Sequence, residues 1–187
     1  MDKQKFRKRC LEKLKREKKI NRYKLDKIVI KKLHQLIKNR ASKRIMLYIP
    51  LKIEVNISSL ITLLRKEKKL VLVPFMEGKS FRLVKYRLPL KIKKFGVKEP
   101  KNSNKYIKKI DLAIVPVLGT DSTLRRIGFG KGFYDRFFEK NGKKIKEIIF
   151  VGREYCICSE IITESHDVKG HGYFTPKNSF LNKKMRI

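Results

Sequence analysis

DLAIVPVLGTDSTLRRIGFGKGFYD, residues 111–135, holds three elements in a row. Asp111–Val117 is apolar throughout after its first residue, as expected of a strand buried on both faces, and such strands belong to parallel sheets covered by helices. Gly119–Gly132 is predicted to be a loop, and a helix is predicted to begin near Phe133.

The same texture recurs on both sides. Ile45–Ile49 is continuous apolar with Pro50 behind it, Leu70–Val73 is ended by Pro74, and residues 145–152 (IKEIIFVG) read as a fourth strand. Between these runs the period changes to that of helices. Phe6, Cys10, Leu11, Leu14 and Ile20 mark an amphipathic helix over about 3–19. Leu25, Ile28, Val29, Leu33, Leu36 and Ile37 mark a second over about 24–38, bounded by Asn21 and Asn39. A third, Leu60–Arg65, is expected to be capped by Ser58 or Ser59. Residues 80–88 alternate apolar and basic, residues 96–106 carry turn formers, and 177–187 read as a loose polar tail. Strands alternating with helices predict one α/β domain over 1–187: a mostly parallel central sheet flanked by helices, with 1–40 as N-terminal helices.

The chain of 187 residues carries a net charge of +33. Such a balance first suggests a nucleic acid or another anionic surface. Of its 50 basic residues, however, 36 are Lys and only 14 are Arg, and the Lys run from Lys3 to Lys184 without clustering. Specific nucleic-acid contacts favour clustered Arg, so a solvated Lys-rich surface is the expectation and specific nucleic acid is not. No apolar stretch nears the roughly 20 residues that span a bilayer, and no apolar leader is visible, which predicts a cytoplasmic protein with no membrane partner. Cys10, Cys156 and Cys158 are odd in number and read as free thiols. Cys156 and Cys158 with His166 and His171 could be read as a zinc set, but C-x-C is not the usual knuckle spacing.

Gly128, Gly130 and Gly132 alternate just ahead of the predicted helix. Without side chains there, main-chain N–H groups and the positive end of the helix can approach a polyphosphate. Lys131, Arg125 and Arg126 add cations, and Asp135 brings a carboxylate to where magnesium commonly bridges protein and nucleotide. The spacing fits neither the Walker loop nor the dinucleotide fingerprint.

Ile114-Val115-Pro116, Asp121 and the run Arg126 to Asp135 together resemble the signature of the 5-formyltetrahydrofolate cyclo-ligases, also called methenyltetrahydrofolate synthetases. The likeness extends to Lys3-Gln4-Lys5-Phe6-Arg7, to Ser42-Lys43-Arg44-Ile45 leading into the first strand, to Glu54, and to His166-Asp167-Val168-Lys169. It implies an ATP-dependent ring closure of 5-formyltetrahydrofolate to 5,10-methenyltetrahydrofolate, with ADP and phosphate released, by a monomer. By the same resemblance ATP would be bound by Lys3, Gln4, Lys5, Phe6, Arg7, Arg126, Ile127, Gly128, Phe129, Gly130, Lys131, Gly132, Phe133 and Tyr134. Lys131 and Arg126 would be catalytic. Ile49, Glu54 and Phe133 would meet the folate, and Asp135 with Asp167 would hold Mg2+. The chain departs from the pattern at Asn56 and Ile57, where an acid and Thr are usual after Glu54, and at Thr120, Leu124 and His171. A basic RNA-associated protein and another ATP-dependent small-metabolite enzyme are the competing readings.

Overall fold

The predicted alternation becomes one seven-stranded sheet in a computed structural model that describes residues 1–16, 21–93, 98–101 and 103–182. In chain order the elements are α1 (Lys3–Arg16), α2 (Arg22–Asn39), β1 (Arg44–Met46), α3 (Ser58–Lys66), β2 (Leu70–Glu77), β3 (Ser80–Lys85), β4 (Lys91–Ile92) and β5 (Lys98–Glu99). Then come β6 (Ile110–Pro116), β7 (Gly119–Asp121), β8 (Arg126–Ile127), α4 (Phe133–Asn141), β9 (Ile145–Val151), β10 (Ile157–Cys158), β11 (Gly172–Phe174) and β12 (Ser179–Leu181). The main sheet runs β12-β11-β9-β6-β1-β2-β3, parallel throughout except for the outer strands β12 and β3.

Period-two alternation sorts the strand residues onto two cores. Ile45, Leu47, Val71, Leu112, Ile114 and Ile149 face α2 and α3. Met46, Leu72, Ala113, Val115, Ile148 and Phe150 face α4, whose Phe137 stacks on Phe81 with ring centroids 4.4 Å apart. A third cluster lies under α1, where Phe6, Cys10 and Leu14 meet Leu118, Ile127, Cys156 and Cys158. Asp2 starts α1 by accepting the N–H groups of Gln4 and Lys5, each at 2.8 Å.

Several local expectations change. Pro74 does not end β2, which continues to Glu77 in a hairpin with β3. Leu70 donates its N–H toward β1, so the even-numbered residues of β2 face that strand, and Pro74 is where the next donor would fall. The proline stops the parallel ladder and leaves the antiparallel one intact. The 119–132 stretch is not all loop: β7 and β8 pair with each other, and β7 pairs with β10, in a separate three-stranded sheet. Neither Ser58 nor Ser59 caps α3; instead the Asn56 side chain accepts the Ser58 N–H at 3.1 Å. Within the expected tail, Ser179–Leu181 forms β12 against β11. The expected contribution of Ile20, the 94–97 and 102 part of the turn-rich segment, and tail residues 183–187 lie outside the described residues.

The cysteines also differ from expectation. Cys10 of α1 and Cys156 are joined by a disulfide, and Cys158 is free and buried. Cys10 lies 146 residues from Cys156, so only the docking of α1 brings those two thiols together. The zinc reading loses Cys156 to this bond, and His171 Nδ1 is occupied by the Ile148 N–H at 2.9 Å. Among the described residues no group of three or more His, Cys, Asp or Glu could hold a metal ion. Burial of Phe6 and Leu14 contributes about 1.5–3 kcal/mol each, so α1 should stay docked without the bond. The bond closes a loop of 146 residues and so constrains the unfolded chain; reduction is expected to cost about 3 kcal/mol, lowering Tm by roughly 6–12 °C. Paired thermal melts with and without dithiothreitol check this; identical curves would mean the bond stabilises nothing.

Candidate active site

In open α/β sheets ligands bind outside the carboxyl ends of the strands, where the winding direction reverses. Here β2 lies on one side of β1 and β6 on the other, so the reversal falls between β1 and β6. The connection after β1 carries Glu54, and the one after β6 carries the glycine loop. The topology thus juxtaposes two segments about 70 residues apart in sequence.

Arg126 stands at the centre. Its side chain is buried, its Nε donates to Pro116 O at 3.2 Å, its guanidinium lies 4.7 Å over the Tyr134 ring, and its Nη1 is 3.6 Å from Asp135 Oδ2. Gly128 makes room for it: a Cβ there would sit 2.4 Å from both terminal nitrogens of Arg126. Because those nitrogens are clamped, they cannot swing aside cheaply. Gly130 and Gly132 adopt φ of +88° and +66°, the left-handed region that suits glycine, and Gly132 opens α4.

Helix α1 closes the loop from above. Arg7 Nε donates to Gly128 O at 3.0 Å, and Lys3 Nζ pairs with Asp167 Oδ2. Lys3 and Arg7 are thus brought to the glycine loop, together with Arg126, Lys131 and the start of α4. Gln4 and Lys5 point outward, with Lys5 beside Asp2, while Phe6 and Ile127 are core residues beneath the site.

The two carboxylates flank Arg126. Asp135 pairs with its side chain, and Asp167 precedes Val168, whose carbonyl accepts the Arg126 N–H at 2.8 Å. Asp135 Oδ1 is buried without a hydrogen-bond partner, and both contacts of Asp167 among the described residues fall on Oδ2. An orphaned buried carboxylate oxygen is costly unless something else meets it. Each carboxylate thus keeps one oxygen outside these contacts, of the hard donor type that divalent cations take.

Glu54 sits across a narrow cleft lined also by Leu14, Ile53, Leu118, Phe129 and Arg153. Burial pushes its carboxyl up to about 7, against the Leu51 N–H it accepts at 2.9 Å and the positive charge of Arg126. The Tyr134 hydroxyl is also held well above its ordinary range, by burial and by the Glu54 charge. Glu54, Tyr134 and Arg126 are thus close enough to share one electrostatic environment. Phe129, expected at the nucleotide, is half-exposed and lines the Glu54 cleft. Ile49 packs on the α2 and α3 face of the sheet and Phe133 on the α4 face, so the two stand on opposite sides of its edge. A separate hollow at the amino ends of β1, β6 and β9 is walled by the ion pairs Arg40–Glu147 and Arg44–Asp111 and by Lys43 and Lys146.

Two organising groups were not legible as such in the sequence. Asp121 is buried and accepts from the N–H and hydroxyl of Thr123, the Arg125 N–H, the Ile162 N–H, and the N–H and hydroxyl of Thr163. It joins the glycine-loop approach to the segment leading to Asp167. Asp26 of α2 and Arg153, just past β9, form a buried ion pair beside Glu54, with Nη1 and Oδ1 2.8 Å apart.

A family model described as the 5-formyltetrahydrofolate cyclo-ligase family matches residues 1–176. A probable 5-formyltetrahydrofolate cyclo-ligase of Schizosaccharomyces pombe is 31% identical over 121 residues, which cover 60% of this chain and 59% of that protein. A 5-formyltetrahydrofolate cyclo-ligase of Haemophilus influenzae is 31% identical over 128 residues, 64% of this chain and 67% of that one. The matched stretch thus spans less than two thirds of the yeast relative. Among solved structures, the 5,10-methenyltetrahydrofolate synthetase of Aquifex aeolicus superposes with a TM-score of 0.81 at 28% identity, covering 100% of this chain and 96% of that one. The 5,10-methenyltetrahydrofolate synthetase of Mycoplasma pneumoniae, at 23% identity and a TM-score of 0.70 over 91% of this chain and 96% of that one, shares the fold.

Proposed function

Because the chain belongs to the 5-formyltetrahydrofolate cyclo-ligase family, we propose that it converts 5-formyltetrahydrofolate and ATP to 5,10-methenyltetrahydrofolate, ADP and phosphate. The observation that carries the reading is the convergence of the glycine loop, Lys3, Arg7 and Arg126 on one side with Glu54 on the other, at the reversal of the sheet.

A formamide oxygen leaves poorly. In the proposed reaction the formyl oxygen attacks the γ-phosphorus, the bond to ADP breaks, and the formyl carbon becomes a phosphorylated imidate. Nitrogen 10 adds to that carbon and loses its proton. The carbon–oxygen bond then breaks, phosphate leaves, and the five-membered ring is closed. The work of the protein is positioning and charge balance. Backbone N–H groups of the loop and the start of α4 face the phosphates, while Lys3, Arg7, Arg126 and Lys131 offset their charge. Glu54 accepts hydrogen bonds from the pterin, and Ile49, Phe133 and Phe129 offer it apolar surface. Asp135 and Asp167 would hold magnesium, which when bound neutralises charge on the phosphate oxygens.

Mixing the protein with MgATP and 5-formyltetrahydrofolate should yield the absorbance of the methenyl product. Folded protein that binds ATP yet forms no product would end the proposal. Lys131 is exposed, so Lys131→Ala should leave Tm within about 1 °C while raising the KM for ATP at least tenfold. Equal loss of stability and activity would mean that the loop is only structural. Among the described residues no helix is long and apolar enough to cross a membrane. We place the protein in the cytoplasm as a monomer; in that compartment Cys10 and Cys156 should stand reduced.

A further inference from the structure

We infer that Asp26 and Arg153 are positioning residues that hold the Glu54 loop in its folate-binding shape, an inference that rests on the folate reading of Glu54. Residues 47–57 form no regular element, so their backbone polar groups depend on specific partners. Arg153 Nε and Nη2 both donate to the Glu54 carbonyl, at 3.0 and 2.7 Å. The same Nη2 donates to Asp26 Oδ2 at 3.0 Å, and that oxygen also accepts the Asn56 N–H at 3.1 Å. The carbonyl before Val55 and the N–H after it are thereby fixed through one ion pair. The carbonyl of Val55 itself takes the Tyr48 hydroxyl at 2.8 Å.

Asp26 and Arg153 are 6% and 8% exposed, so both charges are largely desolvated. Burying such a pair costs several kcal/mol per ion, which its attraction roughly offsets, so an apolar pair could serve stability as well. What an apolar pair lacks is direction: a guanidinium fork grips a carbonyl and a carboxylate at once. At Asn56, where the family pattern has an acid, this chain instead places the Asp26 carboxylate against the backbone from α2. The departure at that position is therefore accompanied by a local carboxylate.

The test compares wild type with Arg153→Lys, which keeps the charge but not the fork, and with the double variant Asp26→Asn/Arg153→Gln, which removes both charges and keeps hydrogen-bonding amides. Methenyl formation is measured against each substrate in turn, alongside thermal melts. In both variants the KM for 5-formyltetrahydrofolate should rise about tenfold, the KM for ATP should stay within about twofold, and kcat should fall less than the folate KM rises. An unchanged folate KM, or both KM values rising together with lost stability, would overturn the inference. If the double variant does not fold, Arg153→Lys alone decides. Wild type that forms no methenyl product removes the folate reading and this inference with it; active wild type with unaffected variants removes only the inference.

Discussion

Arg126→Met is expected to reduce kcat/KM for methenyl formation by about 10³-fold, because it removes a preorganised cation from the phosphate side of the site. A stability cost accompanies it. Asp135 would keep its half-buried carboxylate without the guanidinium 3.6 Å away, and leaving such a group without its partner costs about 1–3 kcal/mol. The two effects separate in Arg126→Met/Asp135→Asn, which leaves no unpaired charge and should recover much of the Tm but none of the turnover. Activity within tenfold of wild type in a folded Arg126→Met protein would show that Arg126 is a structural strut rather than a catalytic group.

Asp121→Ala should cost about 4 kcal/mol and lower Tm by roughly 8–16 °C, while Asp121→Asn, retaining one acceptor, should cost less. The alanine leaves the N–H groups of Thr123, Ile162 and Thr163 without their partner in a site that is 1% exposed. The same group predicts a pH dependence. Burial alone would raise its carboxyl pKa, but the hydrogen bonds from Thr123, Thr163 and Arg125 outweigh burial and hold it below the usual 3.8. A depressed folded value means that its contribution is fully present above about pH 4 and is lost as pH falls through the folded value. Wild type should therefore lose stability below pH 4 more steeply than Asp121→Asn. Parallel acid-denaturation curves for the two proteins would refute this.

Much of the protein was readable from local pattern. Apolar-rich segments at 45–49, 70–73, 111–117 and 145–152 placed four strands of the main sheet, because their central residues are buried on both faces. Helical periodicity placed α1 and α2 to within a few residues. The glycine spacing marked the loop that lies against Arg7 and Arg126, since only glycine spares the backbone the side chain that would block such an approach.

What depends on contacts distant in sequence was decided only in three dimensions. β7, inside an apparent loop, pairs with β10 through Thr120 and Ile157, which are about 37 residues apart, and β8 completes that small sheet as a local hairpin partner. The Cys10–Cys156 bond joins residues 146 apart, so no spacing rule could anticipate it once the count of three suggested free thiols. No local pattern marks Asp26 or Arg153; they form a clamp on Glu54 because α2 and the end of β9 meet beside that loop. Local chemistry determines which segments can be buried or approach a phosphate; which charges end up face to face is set by the topology that brings those segments to one edge of the sheet.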